Sequence, residues 1–191
     1  MSRVIPLIAS LVLLAVAEAN IAPAQGFAPL RLRGGGSIST QRTYAMIKPD
    51  VVKAGKVEKM QAEIEAAGFK IIKQKTVKLT TEKAKHFYNE HKDRPFYGSL
   101  VEFMTSGETV LMILQKDNAI KDWREAMGPT NSIAARKSAP KSMRALFGTD
   151  GSKNACHGSD SPGSARREIR QMFGMFEWVQ VLIAPLRLLW F

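Results

Sequence analysis

A single cysteine, Cys156, stands in 191 residues, so no internal disulfide can form. Histidine is scarce too: His86, His91 and His157 are the whole set, and they share no Cys/His ligand spacing of the kind that builds a zinc site. The longest apolar run, Val4 to Ala17, is broken by Pro6 and Ser10 and is too short to span a bilayer comfortably. No internal repeat or interdomain linker follows residue 40. Acidic residues are outnumbered 17 to 28 by Lys and Arg, giving a net charge of +11. Little of that surplus comes from the first forty residues, where Arg3, Arg31 and Arg33 stand against Glu18. Such a balance fits a nucleic-acid or anionic surface, a polyphosphate pocket, or a solvated basic exterior. Basic residues interleaved with aromatics, as nucleic-acid-binding surfaces show them, are missing, and no stable nucleic-acid or membrane partner is expected.

The start of the chain reads as an address. Arg3 precedes the apolar run, and Ala17-Glu18-Ala19 offers a small-residue cleavage site, the layout of a secretory signal peptide; a retained anchor is the alternative. From Asn20 to Pro49 there is no acidic residue, while Arg31, Arg33, Ser37, Ser39 and Thr40 accompany Gly34-Gly35-Gly36, which is transit-peptide composition. Signal plus transit segment resembles the two-part leader of algae whose plastids are reached through the secretory pathway, with Phe27-Ala28-Pro29 as the aromatic element after cleavage. Plastid delivery is the expectation. Secretion is the alternative, and a cytosolic protein with a misplaced start is a third. The expected division is a leader over 1–40, a folded domain over 41–175 and an apolar tail over 176–191.

Within the folded part, the short apolar run Thr43 to Ile47 predicts a buried strand ending at Lys48-Pro49. Val57, Met60, Ile64 and Ala67 recur at helical spacing, and Gly68 stops them. Phe69 to Leu79 alternates as a strand whose phase shifts midway. Thr80 caps a helix, Phe96 to Met104 gives another, and Thr109 to Leu114 is a continuous apolar strand. Asn118 to Met127 reads as a helix closed by Gly128-Pro129, followed by a loop and a short helix around Ser142 to Phe147. Asn154 to Ser161 holds a histidine in a polar turn just before a helix opened by Ser161-Pro162. Cys156 adjoins His157, but neighbouring side chains diverge on a strand, so it reads as a small buried residue. The element order predicts an α+β, ferredoxin-like sandwich: a mostly antiparallel four-stranded sheet covered by helices.

Five blocks occur in order: Arg42 to Asp50, Lys92-Asp93-Arg94-Pro95-Phe96, Gly128-Pro129-Thr130-Asn131, Arg144-Ala145, and Asn154 to Ser161. Together they resemble the nucleoside diphosphate kinase family over about Arg42 to Phe173. The chemistry suits the residue types. Phosphoryl transfer needs a nucleophile, cations against spreading charge, and positioning. Neutral imidazole is nucleophilic near pH 7 without a separate base.

The resemblance implies a ping-pong exchange in which His157 carries the terminal phosphate of a nucleoside triphosphate, mainly ATP, to nucleoside diphosphates. It implies that Glu168 orients the other imidazole nitrogen, that Ser159 supports that carboxylate, and that Tyr88 lies near the histidine. Lys48, Arg124 and Arg144 match phosphate-binding cations, Thr130 a hydroxyl donor to phosphate, and Asn154 the amide at the sugar hydroxyls. Phe96 matches the ring that stacks on the base, with Leu100 lining the other side. Mg²⁺ is expected to arrive on the nucleotide, mostly keeping its waters, with Asp160 holding one of them. A homo-hexamer or smaller homo-oligomer is implied.

Two departures stand out. Ser132 replaces the proline many members carry after Thr-Asn, within a loop (132–140) slightly longer than in the shortest members. That loop makes subunit contacts in the family, so oligomer stability is affected. The run Phe176 to Phe191 is apolar where the family continues with a polar, proline-containing stretch; it reads as a docking surface, a membrane contact or a misread gene end. These departures motivate the rival reading, a catalytically silent scaffold or nucleotide-binding protein of the same fold.

Overall fold

The computed structural model describes residues 40–174. The expected leader, apart from Thr40, and the expected apolar tail lie outside the described residues.

Four strands form one sheet in the order β2-β3-β1-β4, and every neighbouring pair is antiparallel. The two central strands, β1 (Thr40–Ile47) and β3 (Glu108–Asp117), are buried along most of their length. Both their faces are covered, which is why both read as continuous apolar runs rather than alternating ones. On one face Ala45, Ile47, Val110, Met112 and Leu114 meet α1 (Pro49–Lys53), α2 (Val57–Ala66), α5 (Ala119–Met127) and α7 (Met143–Phe147). On the other, Tyr44, Met46, Leu111 and Ile113 meet α3 (Thr81–Phe87), α4 (Tyr97–Thr105) and α8 (Pro162–Phe173). The edge strand β2 (Lys70–Lys78) pairs with β3 through a register shift between Ile71 and Lys73, which accounts for the phase change in its alternation. The α+β sandwich with an antiparallel four-stranded sheet is therefore the fold of the described residues.

Two helices escape the sequence reading. Pro49 starts α1, because proline is preorganised for the first helical position. The segment after Asn131, read as loop, holds α6 (Ser132–Ser138), whose first N–H groups, from Ile133 and Ala134, donate to the Asn131 side chain at 2.9 and 3.1 Å. Ser132 itself is buried, and its N–H donates to the Asp150 carbonyl at 3.1 Å. A proline there could not make that bond, so the departure at Ser132 adds a tie between α6 and the loop leading to Asn154.

The short strand β4 (Cys156–Gly158) pairs with β1 in the register Ile47–Cys156, Met46–His157 and Ala45–Gly158. The pleat sends Cys156 into the first core and His157 toward the second. Gly158 is required by packing: a Cβ there would stand 2.3 Å from Trp123 Cδ1 and 2.9 Å from Met127 Cε. Trp123 is fully buried in the first core and cannot retreat. Gly158→Ala is expected to destabilise by about 1–3 kcal/mol through overpacking and to lower the thermal midpoint by roughly 3–10 °C, measured by calorimetry.

Candidate functional site

Elements from both halves of the sheet converge on a cleft of about 470 Å³. His157 reaches it from β4, Lys48 from the end of β1, Arg124 from α5, and Arg144 from α7. Asn154 and Thr130 come from loops, Tyr88 from the end of α3, and Phe96 and Leu100 from α4 and its cap. Glu168 and Asp160 complete the lining from α8 and the turn before it. Of the residues singled out in the sequence, Ser159 alone does not line the cleft. It is buried, and its Oγ donates to Glu168 Oε2 at 2.7 Å.

That same carboxylate oxygen lies 3.2 Å from His157 Nε2. The Nε2–H donates to it, since carboxylate oxygens accept, and Nδ1 is left with the lone pair. Three rings box the imidazole: Phe87, Tyr44 and Tyr88, with centroids at 5.1, 5.8 and 6.2 Å. The His157 side chain keeps 20% exposure. Behind it, Trp123 Nε1 donates to the His157 carbonyl at 3.3 Å. The ring is thus held on one edge, packed on its sides and open toward the cleft. The Tyr88 hydroxyl is buried without a hydrogen-bond partner; burial, with Glu168 and Glu90 adding, raises its pKa, so it remains a proton donor.

Lys48 Nζ donates to Asn154 Oδ1 at 2.7 Å, while Asn154 Nδ2 donates to the carbonyls of Thr130 and Gly151 at 3.0 and 3.1 Å. Both amide hydrogens are occupied, so toward a ligand hydroxyl Asn154 can act only as an acceptor, through the second lone pair on Oδ1. Burial lowers the Lys48 pKa to about 8. Arg144 is buried, and its guanidinium donates to the carbonyls of Gly128 at 2.8 Å and Cys156 at 3.4 Å. Burial lowers its pKa, and the like charge of Arg124 adds to that. Arg124 itself is exposed. Asp160 Oδ1 accepts from Ser164 Oγ at 2.6 Å, and that hydroxyl, with a smaller contribution from Arg124, keeps its carboxyl below the usual range. The Ser164 Oγ in turn takes the N–H groups of Asp160 and Ser161 in the cap of α8. Among the described residues no cluster of three or more His, Cys, Asp or Glu could hold a metal ion.

Phe96 is half exposed, and the Leu100 N–H donates to its carbonyl at 2.9 Å. The two stand one helical turn apart on the same face, so they form one wall of the cleft rather than two. Gly151 and Ser152 also line it.

The model of the family described as nucleoside diphosphate kinase matches residues 41–178. The chain belongs to the nucleoside diphosphate kinase family. Among its relatives, the nucleoside diphosphate kinase of Aquifex aeolicus is 46% identical over 142 residues, spanning 74% of this chain and 100% of that protein. A crystal structure of the Aquifex enzyme gives a TM-score of 0.69 at 47% identity, over 71% of this chain and 96% of that one. A halophilic member from Halobacterium salinarum, solved in complex with CDP, gives 0.67 at 34% identity, over 72% and 90%. This chain is a phosphotransferase that binds nucleotides, and transfer through a phosphohistidine is general to its family.

Several features of the kinase cleft carried no signal in the sequence reading. Phe87 and Tyr44, which box the histidine, lie far from it along the chain. Glu90 and His91 stand at the rim beside Phe96, the His91 and Phe96 rings 5.8 Å apart. Asp50 Oδ2 accepts the Ala155 N–H at 3.0 Å, a contact that its place beside Lys48 and Pro49 in the chain does not announce. Ala155 has φ +68°, a conformation that costs a residue with a Cβ about 1–3 kcal/mol.

The Lys48 pKa sets a pH dependence. Because it is lowered to about 8 in the ligand-free protein, Lys48 loses its charge above that pH, and binding a polyphosphate then requires proton uptake. The KM for nucleoside triphosphate is expected to stay level below about pH 8 and to rise by up to about ten-fold per unit above it. Steady-state kinetics over that range test this, and Lys48→Gln removes the inflection.

Proposed function

We propose that the exchange of the terminal phosphoryl group between nucleotides runs through His157 Nδ1. In the first half-reaction Nδ1 attacks the γ-phosphorus of a nucleoside triphosphate, the bond to the β,γ-bridging oxygen breaks, and the diphosphate leaves with that electron pair. In the second, a β-phosphate oxygen of the acceptor diphosphate attacks the phosphohistidine, and the N–P bond returns its pair to Nδ1. The imidazole gains positive charge while phosphorylated, and the Nε2–H bond to Glu168 steadies it. Ser159 keeps that carboxylate aimed.

Lys48, Arg124 and Arg144 offset charge on the transferring group, and the planar guanidinium groups add directed donors. Thr130 and the unpartnered Tyr88 hydroxyl donate to phosphate oxygens, and Asn154 Oδ1 accepts from the sugar. Phe96 stacks on the base beside Leu100; stacking reads no base edge, which suits broad nucleotide tolerance. Mg²⁺ enters as part of the substrate on the phosphates, with Asp160 beside its water shell. The observation that carries this reading is a histidine with one nitrogen tied to a buried carboxylate and the other free in a cleft lined by three cations.

The assembly is proposed as a homo-hexamer or smaller homo-oligomer, with the exposed Ile133 and Leu146 as apolar groups a neighbour would cover. Its location is proposed as a plastid reached through the secretory pathway, on the composition of the leader; N-terminal sequencing of protein from its native cell tests that.

Incubation with γ-labelled MgATP is expected to give an acid-labile phosphoprotein, discharged by GDP. His157→Ala should abolish both labelling and exchange. Glu168→Gln, which keeps a hydrogen-bond acceptor without the charge, should lower kcat by roughly 10–100-fold with little change in KM. Exchange at full rate in the His157→Ala protein would sink the mechanism.

A further inference from the structure

The geometry points to Asp50 as a positioning residue for the nucleophile, acting through the left-handed turn at Ala155; the inference rests on the phosphohistidine reading above. Asp50 does not line the cleft. It sits at the second position of α1, directly after Pro49, and its Oδ2 accepts the Ala155 N–H at 3.0 Å across 105 residues of chain. The Ala155 carbonyl in turn accepts the Lys48 N–H at 2.9 Å, and the Cys156 N–H folds back onto the Asn154 carbonyl at 2.8 Å. This is a three-residue γ-turn with a positive central φ, a form that is rare and strained.

Three hydrogen bonds thus hold one residue where an L side chain does not rest willingly, and Asp50 supplies the tie that comes from a side chain. Ala155 is fully buried, so no water replaces a lost partner for its N–H. The turn has Asn154 on one side and His157 two residues on along the other. Released, Ala155 moves to a negative φ, which rotates the Asn154 amide away from Lys48 and the imidazole away from Glu168. Displacements of about 1 Å at a reacting group cost on the order of 100-fold in rate.

The test uses the full chain and three variants: Asp50→Ala, Asp50→Asn, and Asp50→Ala combined with Ala155→Gly. The readouts are the rate of phosphohistidine formation from γ-labelled MgATP and the split between kcat and KM. Asp50→Ala is expected to lose on the order of 100-fold in kcat, with a smaller rise in KM as Asn154 leaves Lys48, because the main lesion lies in aiming the nucleophile. Asp50→Asn keeps an oxygen that accepts the same N–H and should retain most of the activity. Glycine takes positive φ at no steric cost, so Ala155→Gly in the Asp50→Ala background should restore at least about ten-fold.

Wild-type turnover by Asp50→Ala overturns the inference and leaves the kinase reading intact. Failure of glycine to restore rate to a folded Asp50→Ala protein also overturns it. If Asp50→Ala does not fold, Asp50→Asn decides: near wild-type kcat sustains the role, and a folded Asn variant crippled by about 100-fold refutes it, since charge rather than the turn would then be at work. Absence of labelling in the wild-type protein defeats both readings together.

Discussion

Three residue pairs between β1 and β4 hold the chemistry of this molecule together. Strand β1 enters from the start of the folded chain and β4 from near its end, and their antiparallel register fixes what stands beside what. Lys48, one residue past β1, meets Asn154, two before β4, at 2.7 Å. Because side chains alternate on a strand, Cys156 goes to one core and His157 to the other. A slip of one residue would bury the histidine against Trp123 and turn the cysteine toward the cleft. The register is locked by what lies at both ends: Gly158 closed against Trp123, and Ala155 tied to Lys48 and Asp50.

The cleft also gathers like charge. Lys48 and Arg144 are buried beside each other, with Arg124 near, which no apolar core would tolerate without partners. Backbone carbonyls take part of the load at Arg144, and the Asn154 amide takes part at Lys48. What remains unbalanced is positive and faces the cleft; burial, with the like charge of Arg144 adding, lowers the pKa of Lys48. On the proposed reading a polyphosphate completes the arrangement: it supplies the missing anion, restores the lysine's preference for its proton, and gains attraction in a site that was built before it arrived. The thiol of Cys156, pushed up to about 11 by burial, stays protonated and adds no competing charge or nucleophile.

Much of this was legible in the chain, for identifiable reasons. The central strands announce themselves because both faces are covered, so Thr43 to Ile47 and Thr109 to Leu114 carry unbroken apolar runs. Helix α8 shows itself through Ser161-Pro162, and α5 through its apolar side of Ile120, Trp123 and Met127. Helix α6 hid because its one signal, the Asn131 cap, sits in a stretch of small and polar residues that also suits a loop. At the site, groups whose chemistry is specific to residue type could be read: His157, Glu168 and the cations. Groups that act by shape could not. A positive φ at alanine leaves no mark in a sequence, and the rings around His157 come from Tyr44 and Phe87, unremarkable core positions until the chain folds. The wall shared by Phe96 and Leu100 follows from their helical spacing, but only once the start of α4 is known.

His157, the proposed nucleophile, stands on the seam between two cores, and this explains how a small histidine can be held so firmly on a three-residue strand. Its carbonyl is gripped by Trp123, which belongs to the core under α5, while its ring is packed by Phe87, Tyr44 and Tyr88, which belong to the core under α3 and α8. Glu168 reaches the imidazole from α8, whose Ile169, Met172 and Phe173 anchor in that second core. Neither core alone fixes both the backbone and the ring. Packing on either side of the sheet therefore feeds into one geometry at Nδ1, and a substitution deep in either layer should be felt at the histidine before it is felt as unfolding. That coupling lets His157 be held rigidly on so short a strand: β4 contributes three residues, and the rest of its rigidity is borrowed from the two layers it joins.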